Sequence, residues 1–160
     1  MIKQEDLVFL QELCETPSPT GYEWPAAEVM RKRLAQTADI IETSVMGSVH
    51  ATLKGKGRNR GSSVMIAGHI DEIGMIVKYI DDNGFVYFDA LGGVDAAVLP
   101  GTRINCYATG KGTGGAEKPT MLRGLIGRKP IHLIEAEERK SVTPIEKLFI
   151  DFGISGEKGS

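Results

Sequence analysis

Ser63-Val64-Met65-Ile66-Ala67-Gly68-His69-Ile70-Asp71-Glu72-Ile73-Gly74 is the stretch on which the reading of this chain turns. It passes from an apolar run into a polar cluster flanked by glycines. A short run such as Ser63–Gly68 predicts a strand buried on both faces of a parallel or mixed sheet. Sites in α/β folds are built at the carboxyl ends of such strands, and His69 and Asp71 stand at that end. Two residues apart on extended backbone, they share a face. An imidazole so placed can hold a metal while the carboxylate fixes its ring and tautomer. The H-x-D spacing alone is a weak signal; the position after the strand and the glycines on either side strengthen it. The plainer alternative is a histidine closing a strand beside a solvated carboxylate pair.

Upstream, the pattern is helical. Leu7, Leu10, Leu13 and Cys14 recur at spacings of three and four, predicting an amphipathic helix over residues 3–15. Thr16-Pro17-Ser18-Pro19-Thr20-Gly21 ends it, because neither proline continues a helix. A second helix is expected from about Pro25, a residue suited to a first turn. Its Ala26, Val29, Met30 and Leu34 form one face, and Arg31, Lys32 and Arg33 form a solvated basic cluster toward its C-terminus. From Asp39 the period drops to two. Ile40–Val45 and Val49–Leu53 read as a hairpin through Met46-Gly47-Ser48, and residues 55–61 as a basic glycine loop.

Downstream of Ile73, some sixty residues show no helical period. Gly74–Ile80, Phe85–Ala90, Arg103–Thr109 and Leu122–Gly127 are expected strands, and Asp82-Asn83-Gly84 between the first two is a strong hairpin signal. Short strands with glycine turns suggest a small barrel or sandwich. A short helix near Pro144–Leu148 and an apolar strand over Leu148–Phe152 read as a return to the first lobe. The expected division is 1–72 for one α/β lobe, 73–147 for a β-rich insertion, and 148–160 for the start of the return.

Composition excludes several classes. Nineteen Lys and Arg against 21 Asp and Glu give a formal charge of −2, so no strongly basic nucleic-acid footprint exists. No apolar run is long enough to span a membrane, and the charged N-terminal stretch is no secretory signal. Cys14 and Cys106 make no disulfide framework and fit a reducing compartment, hence a cytoplasmic, soluble protein. Twenty of the 160 residues are glycine, against a usual share of about 7%, and they lie between short apolar runs as turns would. Few aromatic residues are present to form a stacking platform.

Other candidates are weaker. Gly110-Lys111-Gly112-Thr113-Gly114-Gly115 matches G-x-G-x-x-G but opens no helical pattern, so it reads as a hairpin loop. His132 and Glu135 would share a helical face at i,i+3; a packing histidine is the simpler reading, as it is for His50. Neither cysteine has C-x-x-C context, and no nucleophile elbow is present.

Met65-Ile66-Ala67-Gly68-His69-Ile70-Asp71-Glu72-Ile73-Gly74, then Leu91-Gly92-Gly93, then Gly124-Leu125-Ile126-Gly127-Arg128-Lys129-Pro130-Ile131-His132-Leu133, then Leu148-Phe149-Ile150-Asp151-Phe152-Gly153, together resemble the M42 metallo-aminopeptidases. Pro17-Ser18-Pro19-Thr20-Gly21-Tyr22-Glu23 is similar to that family's Pro-Ser-Gly-x-Glu turn, with Pro-Thr inserted. The resemblance implies a zinc-peptidase-like α/β catalytic domain interrupted by a β-rich, barrel-like dimerisation domain. It implies that His69 is a metal ligand and Asp71 the catalytic carboxylate that orients it. It further implies two divalent ions, zinc or cobalt, acting on peptide substrates, and homo-oligomers in which dimers build up to a dodecamer. The family's bridging Asp, Glu-Glu pair, further acidic ligand and last His have no counterpart here. The chain is therefore expected to be the N-terminal half of such an enzyme, inactive alone because one imidazole cannot hold a dinuclear site. A rival reading is a self-associating β-rich module without chemistry. Glycan hydrolysis is a third, for which no carboxylate pair stands out.

Overall fold

A computed structural model describes residues 2–57, 61–108 and 120–154. The chain divides into two compact units, Met1–Ile73 and Gly74–Ser160, which are taken in turn. Two helices and then a two-stranded hairpin come first, and the later part is sheet-rich with only short 3₁₀ turns. Among the described residues no helix is long and apolar enough to cross a membrane.

In the first unit, α1 (Gln4–Glu15) and α2 (Trp24–Leu34) form close to where the three-and-four spacing puts them. The Asp6 carboxylate accepts the Lys3 N–H at 3.3 Å, capping α1, and also pairs with Arg33 of α2. The Arg33 guanidinium lies 5.4 Å from the centre of the Phe9 ring, a cation–π contact that helps hold the helices together. Pro25 stands in the first turn of α2, as expected. The apolar stripe of α1 is not buried: Leu7 and Leu10 remain exposed, and the small core of this unit is Ala26 and Ala27 with Ser18. β1 (Ile40–Thr43) and β2 (Val49–Thr52) make the expected antiparallel hairpin, with Glu42 opposite His50.

Ser63–Gly68 departs from expectation. It enters no sheet, and Val64, Met65 and Ile66 are 85%, 89% and 94% exposed. A run buried on both faces needs a strand on each side to take its backbone groups. Among the described residues, β1 and β2 pair only with each other.

The second unit holds the main core. β3 (Gly74–Ile80), β4 (Val86–Leu91), β5 (Arg103–Ala108), β6 (Thr120–Arg128) and β7 (Leu148–Asp151) form one antiparallel sheet in the order β3-β4-β7-β6-β5. Asp81 builds the first hairpin: its carboxylate accepts the Asn83 and Phe85 N–H groups, each at 2.9 Å, and Gly84 adopts φ +84°. That left-handed conformation favours glycine, which is why Asp-Asn-Gly reads so clearly. The sheet order is linear, with β3 and β5 at the two ends, where a small barrel or sandwich was expected. Leu148–Asp151, expected to begin the return to the first lobe, instead pairs with β4 at Val86 and with β6 over Leu125–Arg128. Leu148 and Ile150 of β7 are buried with Val86, Phe88, Leu99 and Ile126. The segment joining β5 to β6, including the glycine run at 110–115, lies outside the described residues, as do residues 58–60 of the basic loop.

Two glycines on β6 let this layer close. A Cβ on Gly124 would stand 2.5 Å from Ile150 Cγ2 and 2.9 Å from the Phe152 ring, and one on Gly127 would stand 2.6 Å from the Phe149 ring. Elsewhere in the unit, Lys147 Nζ donates to Glu138 Oε1 at 2.6 Å, between exposed side chains. This hydrogen bond and the lysine charge hold the Glu138 carboxyl below the usual glutamate range.

Urea unfolding should separate three sites. Leu148→Ala should cost about 2–5 kcal/mol through lost burial and a cavity. Gly124→Ala should cost roughly 1–3 kcal/mol through overpacking. Ile66→Lys should change stability by less than about 0.5 kcal/mol; an Ile66→Lys cost comparable with that of Leu148→Ala would mean residues 63–68 are buried. The Glu138 ion pair, its carboxyl pKa depressed in the folded chain, contributes at pH above the unfolded carboxyl range and is lost as pH falls through the folded value. Lys147→Ala should therefore raise the Glu138 titration midpoint in carboxyl-carbon NMR.

Candidate functional site

The site is built where two loops of the first unit meet. The Pro17–Glu23 turn is held by Tyr22 N–H donating to the Pro19 carbonyl at 2.7 Å, and Gly21 N–H donating to Glu23 Oε1 at 2.7 Å. Gly21 sits at φ +91°, a conformation the Cβ of other residues disfavours. This turn lies against residues 69–72. Pro19 and Glu72 form an isolated parallel bridge. Glu72 N–H donates to the Ser18 carbonyl at 2.9 Å, and Ser18 N–H donates to Glu72 Oε1 at 2.9 Å. Burying Ser18 is tolerable because Glu72 satisfies both of its backbone groups.

On this frame the H-x-D pair comes together as the spacing predicts. His69 Nδ1 lies 3.0 Å from Asp71 Oδ1 and 3.1 Å from the Asp71 carbonyl oxygen. Thr20 Oγ1 donates to the other carboxylate oxygen, Asp71 Oδ2, at 2.8 Å. The Thr20 hydroxyl first, and the His69 hydrogen bond second, hold the Asp71 carboxyl below the usual aspartate range. Ionised, it can only accept. Both neighbours of Nδ1 are then acceptors, so in the neutral ring the proton belongs on Nδ1 and Nε2 presents its lone pair. The His69 side chain is 86% exposed, so that lone pair is open to solvent. An imidazole backed by a carboxylate in this way is suited to ligate a metal.

The residues fit one ligand position and no more. Among the described residues, no three His, Cys, Asp or Glu side chains converge as a metal site requires. His132 stands on a 3₁₀ turn, Ile131–Leu133, that ends before Glu135, and the extended Ile134 between them breaks the helical face an i,i+3 pair would need. His50 is a strand residue opposite Glu42. Cys14 and Cys106 are free thiols, and burial pushes the Cys106 thiol up, away from the reactive thiolate form. The i,i+2 spacing points to the contact of His69 with Asp71, whereas Thr20, Ser18 and Glu72 carry no comparable mark as the supports of that pair. Thr20 lies 51 residues before Asp71, and the turn residues 17–23 were the only local signal.

The family model of the M42 glutamyl aminopeptidases matches residues 47–159. A lysyl aminopeptidase of Pyrococcus furiosus is 28% identical over 96% of this chain and 41% of its own length. The crystal structure of a TET aminopeptidase from a marine sediment Thaumarchaeota archaeon superposes with a TM-score of 0.81 at 31% identity, over 96% of this chain and 40% of that one. A Pyrococcus horikoshii TET1 peptidase, which can assemble into a tetrahedron or a large octahedral shell, gives a TM-score of 0.71 at 32% identity, over 93% and 41%. The chain spans about 40% of the length of the curated relatives it matches.

The tautomer can be tested directly. Nitrogen-15 NMR of His69 in its neutral form should show the proton on Nδ1 and the lone pair on Nε2. Asp71→Ala should shift the balance toward the Nε2–H form. A native spectrum already dominated by Nε2–H would remove the case for His69 as an Nε2 donor.

Proposed function

The chain belongs to the M42 glutamyl aminopeptidase family, and on that premise we propose that it contributes to a metal-dependent aminopeptidase removing N-terminal residues from short peptides. The observation that carries this reading is the anchored imidazole: His69 with Nδ1 held by Asp71, Asp71 held by Thr20, and Nε2 exposed. In this reading His69 is a metal ligand and Asp71 its positioning carboxylate. Two divalent ions, zinc or cobalt, would when bound supply Lewis-acid chemistry and a water acidic enough to act near neutral pH.

The chain's own residues would do the following. Asp71 keeps the Nδ1 proton in place, so the Nε2 lone pair never has to be freed by a tautomer change. Thr20 keeps Asp71 charged and turned toward the ring. Ser18 and Glu72 fix the backbone beneath them. The remaining ligands and the general base would come from the length of the relatives that this chain does not span, so the 160 residues alone would be inactive. The first unit is then part of a catalytic domain. The second unit, from Gly74 onward, is a dimerisation domain from which larger homo-oligomers grow. Support for self-association comes from the edge strand β3, where Ile76, Val77, Tyr79 and Ile80 are exposed. The cytoplasm is the compartment that suits two free thiols.

The test is to purify the longest natural product bearing these residues and assay amino-acyl p-nitroanilides with zinc or cobalt. It should turn over, lose activity to a chelator, and lose nearly all of it in His69→Ala. Asp71→Ala should weaken metal affinity by roughly ten- to a hundredfold. The 160-residue chain should give no turnover. Turnover by that chain alone, or full metal binding and activity in His69→Ala, would overturn the assignment.

A further inference from the structure

An open groove of about 740 Å³ lies in the second unit along β5, β6 and the residues that follow β7. The aminopeptidase reading makes no use of it. Its polar face follows from the ladder. Arg103 is directly opposite Leu125, Asn105 is opposite Arg123, and Leu125 is in turn opposite Asp151. Side chains paired across a ladder share a face, so two guanidinium groups and a carboxamide gather on one side of the sheet. Arg103, Asn105, Arg123 and Leu125 are all exposed. Among the described residues neither guanidinium lies within 4.0 Å of a carboxylate. Asp151, at the groove's other end, is engaged by the Gly153 N–H at 2.7 Å. Phe152 lies on the opposite face, its ring over Gly124.

Two neighbouring guanidinium groups with no carboxylate within 4.0 Å among the described residues mark a place where an anion would be held. Four features choose among anions. Arg103 and Arg123 are diagonal neighbours, roughly 7–8 Å apart at the backbone. That distance is close to the ~6.7 Å between residues i and i+2 of an extended peptide. The chain's net charge of −2 disfavours a polyanion such as nucleic acid. The Asp151 carboxylate, one oxygen of which accepts the Gly153 N–H, repels a second row of phosphates and leaves its other oxygen for a peptide N–H. Leu125 offers apolar contact that a bare inorganic anion would not use.

We infer that this groove binds an extended peptide segment carrying two acidic side chains at i and i+2, one on Arg103 and one on Arg123, with the Asn105 carboxamide donating between them. The inference is independent of the proposed peptidase function, because the bound segment is recognised by its side chains and needs no free N-terminus.

The probe is a peptide blocked at both ends, acetyl-Ala-Glu-Ala-Glu-Ala-amide, titrated into the full 160-residue chain and followed by amide NMR shifts. The shifts should concentrate at residues 103–105 and 123–125 and weaken as salt is raised. Arg103→Gln and Arg123→Gln should each weaken binding about tenfold, and Arg123→Lys by less. The Gln-for-Glu peptide should bind at least tenfold more weakly. Both arginines are exposed, so these variants should fold, and their unchanged shifts elsewhere would show it. Absence of binding at millimolar peptide, equal binding of the neutral peptide, or inorganic phosphate binding as tightly as the peptide would each overturn the assignment. So would shifts explained entirely by self-association in sedimentation.

Discussion

Four residues, Leu148–Asp151, join what would otherwise be two separate hairpins. β7 takes backbone hydrogen bonds from β6 on one side and β4 on the other, and its two inward side chains, Leu148 and Ile150, are fully buried. A two-stranded hairpin is marginal in water, whereas a sheet of three or more strands with an apolar face can stand alone. Everything in the second unit follows from that insertion. Phe88 and Ile126 acquire a common neighbour, β6 must be bare at Gly124 and Gly127 to admit the rings and branched chain lying over it, and β5 is left as an outer strand whose polar face opens into a groove.

The first unit works on another principle. It has almost no apolar core, and its order comes from polar contacts that satisfy one another. Glu72 serves both backbone groups of Ser18, while Asp71 serves Thr20 with one oxygen and His69 with the other. A carboxylate with two donors is pinned in direction as well as charge, and the imidazole inherits that direction. Such a site depends on few atoms, and each of them is a small polar group whose loss leaves another unpaired.

How much of this was legible beforehand depended on the range of the signal. Local signals suffice in two cases: Asp82-Asn83-Gly84 marks a turn because only glycine easily adopts the φ found at Gly84, and the strands read over Phe85–Ala90 and Arg103–Thr109 fall within a residue of β4 and β5. The i,i+2 spacing of His69 and Asp71 was enough to bring their side chains together. Signals that depend on distant partners failed. Ser63–Gly68 has the composition of a buried strand, but composition cannot tell whether strands stand on either side of it. Leu148–Phe152 read as apolar strand correctly, yet nothing in its own residues says which sheet it joins. Thr20 carries no mark that its hydroxyl serves a carboxylate 51 positions later.

That last separation bears on how the first unit folds. The bonds from Ser18 to Glu72 and from Thr20 to Asp71 close loops of 54 and 51 residues. In chain entropy this is about 2 kcal/mol costlier than closing a four-residue turn. Contacts of high sequence separation form late, after helices and hairpins that need only their neighbours. The orientation of the His69 ring is therefore among the last features of the unit to be established and the first to be lost when the loops part. During synthesis it has to wait for residue 72 to emerge, long after the turn that receives it. An imidazole signal from this position reports the closure of about a third of the chain, even though its immediate partner is only two residues away.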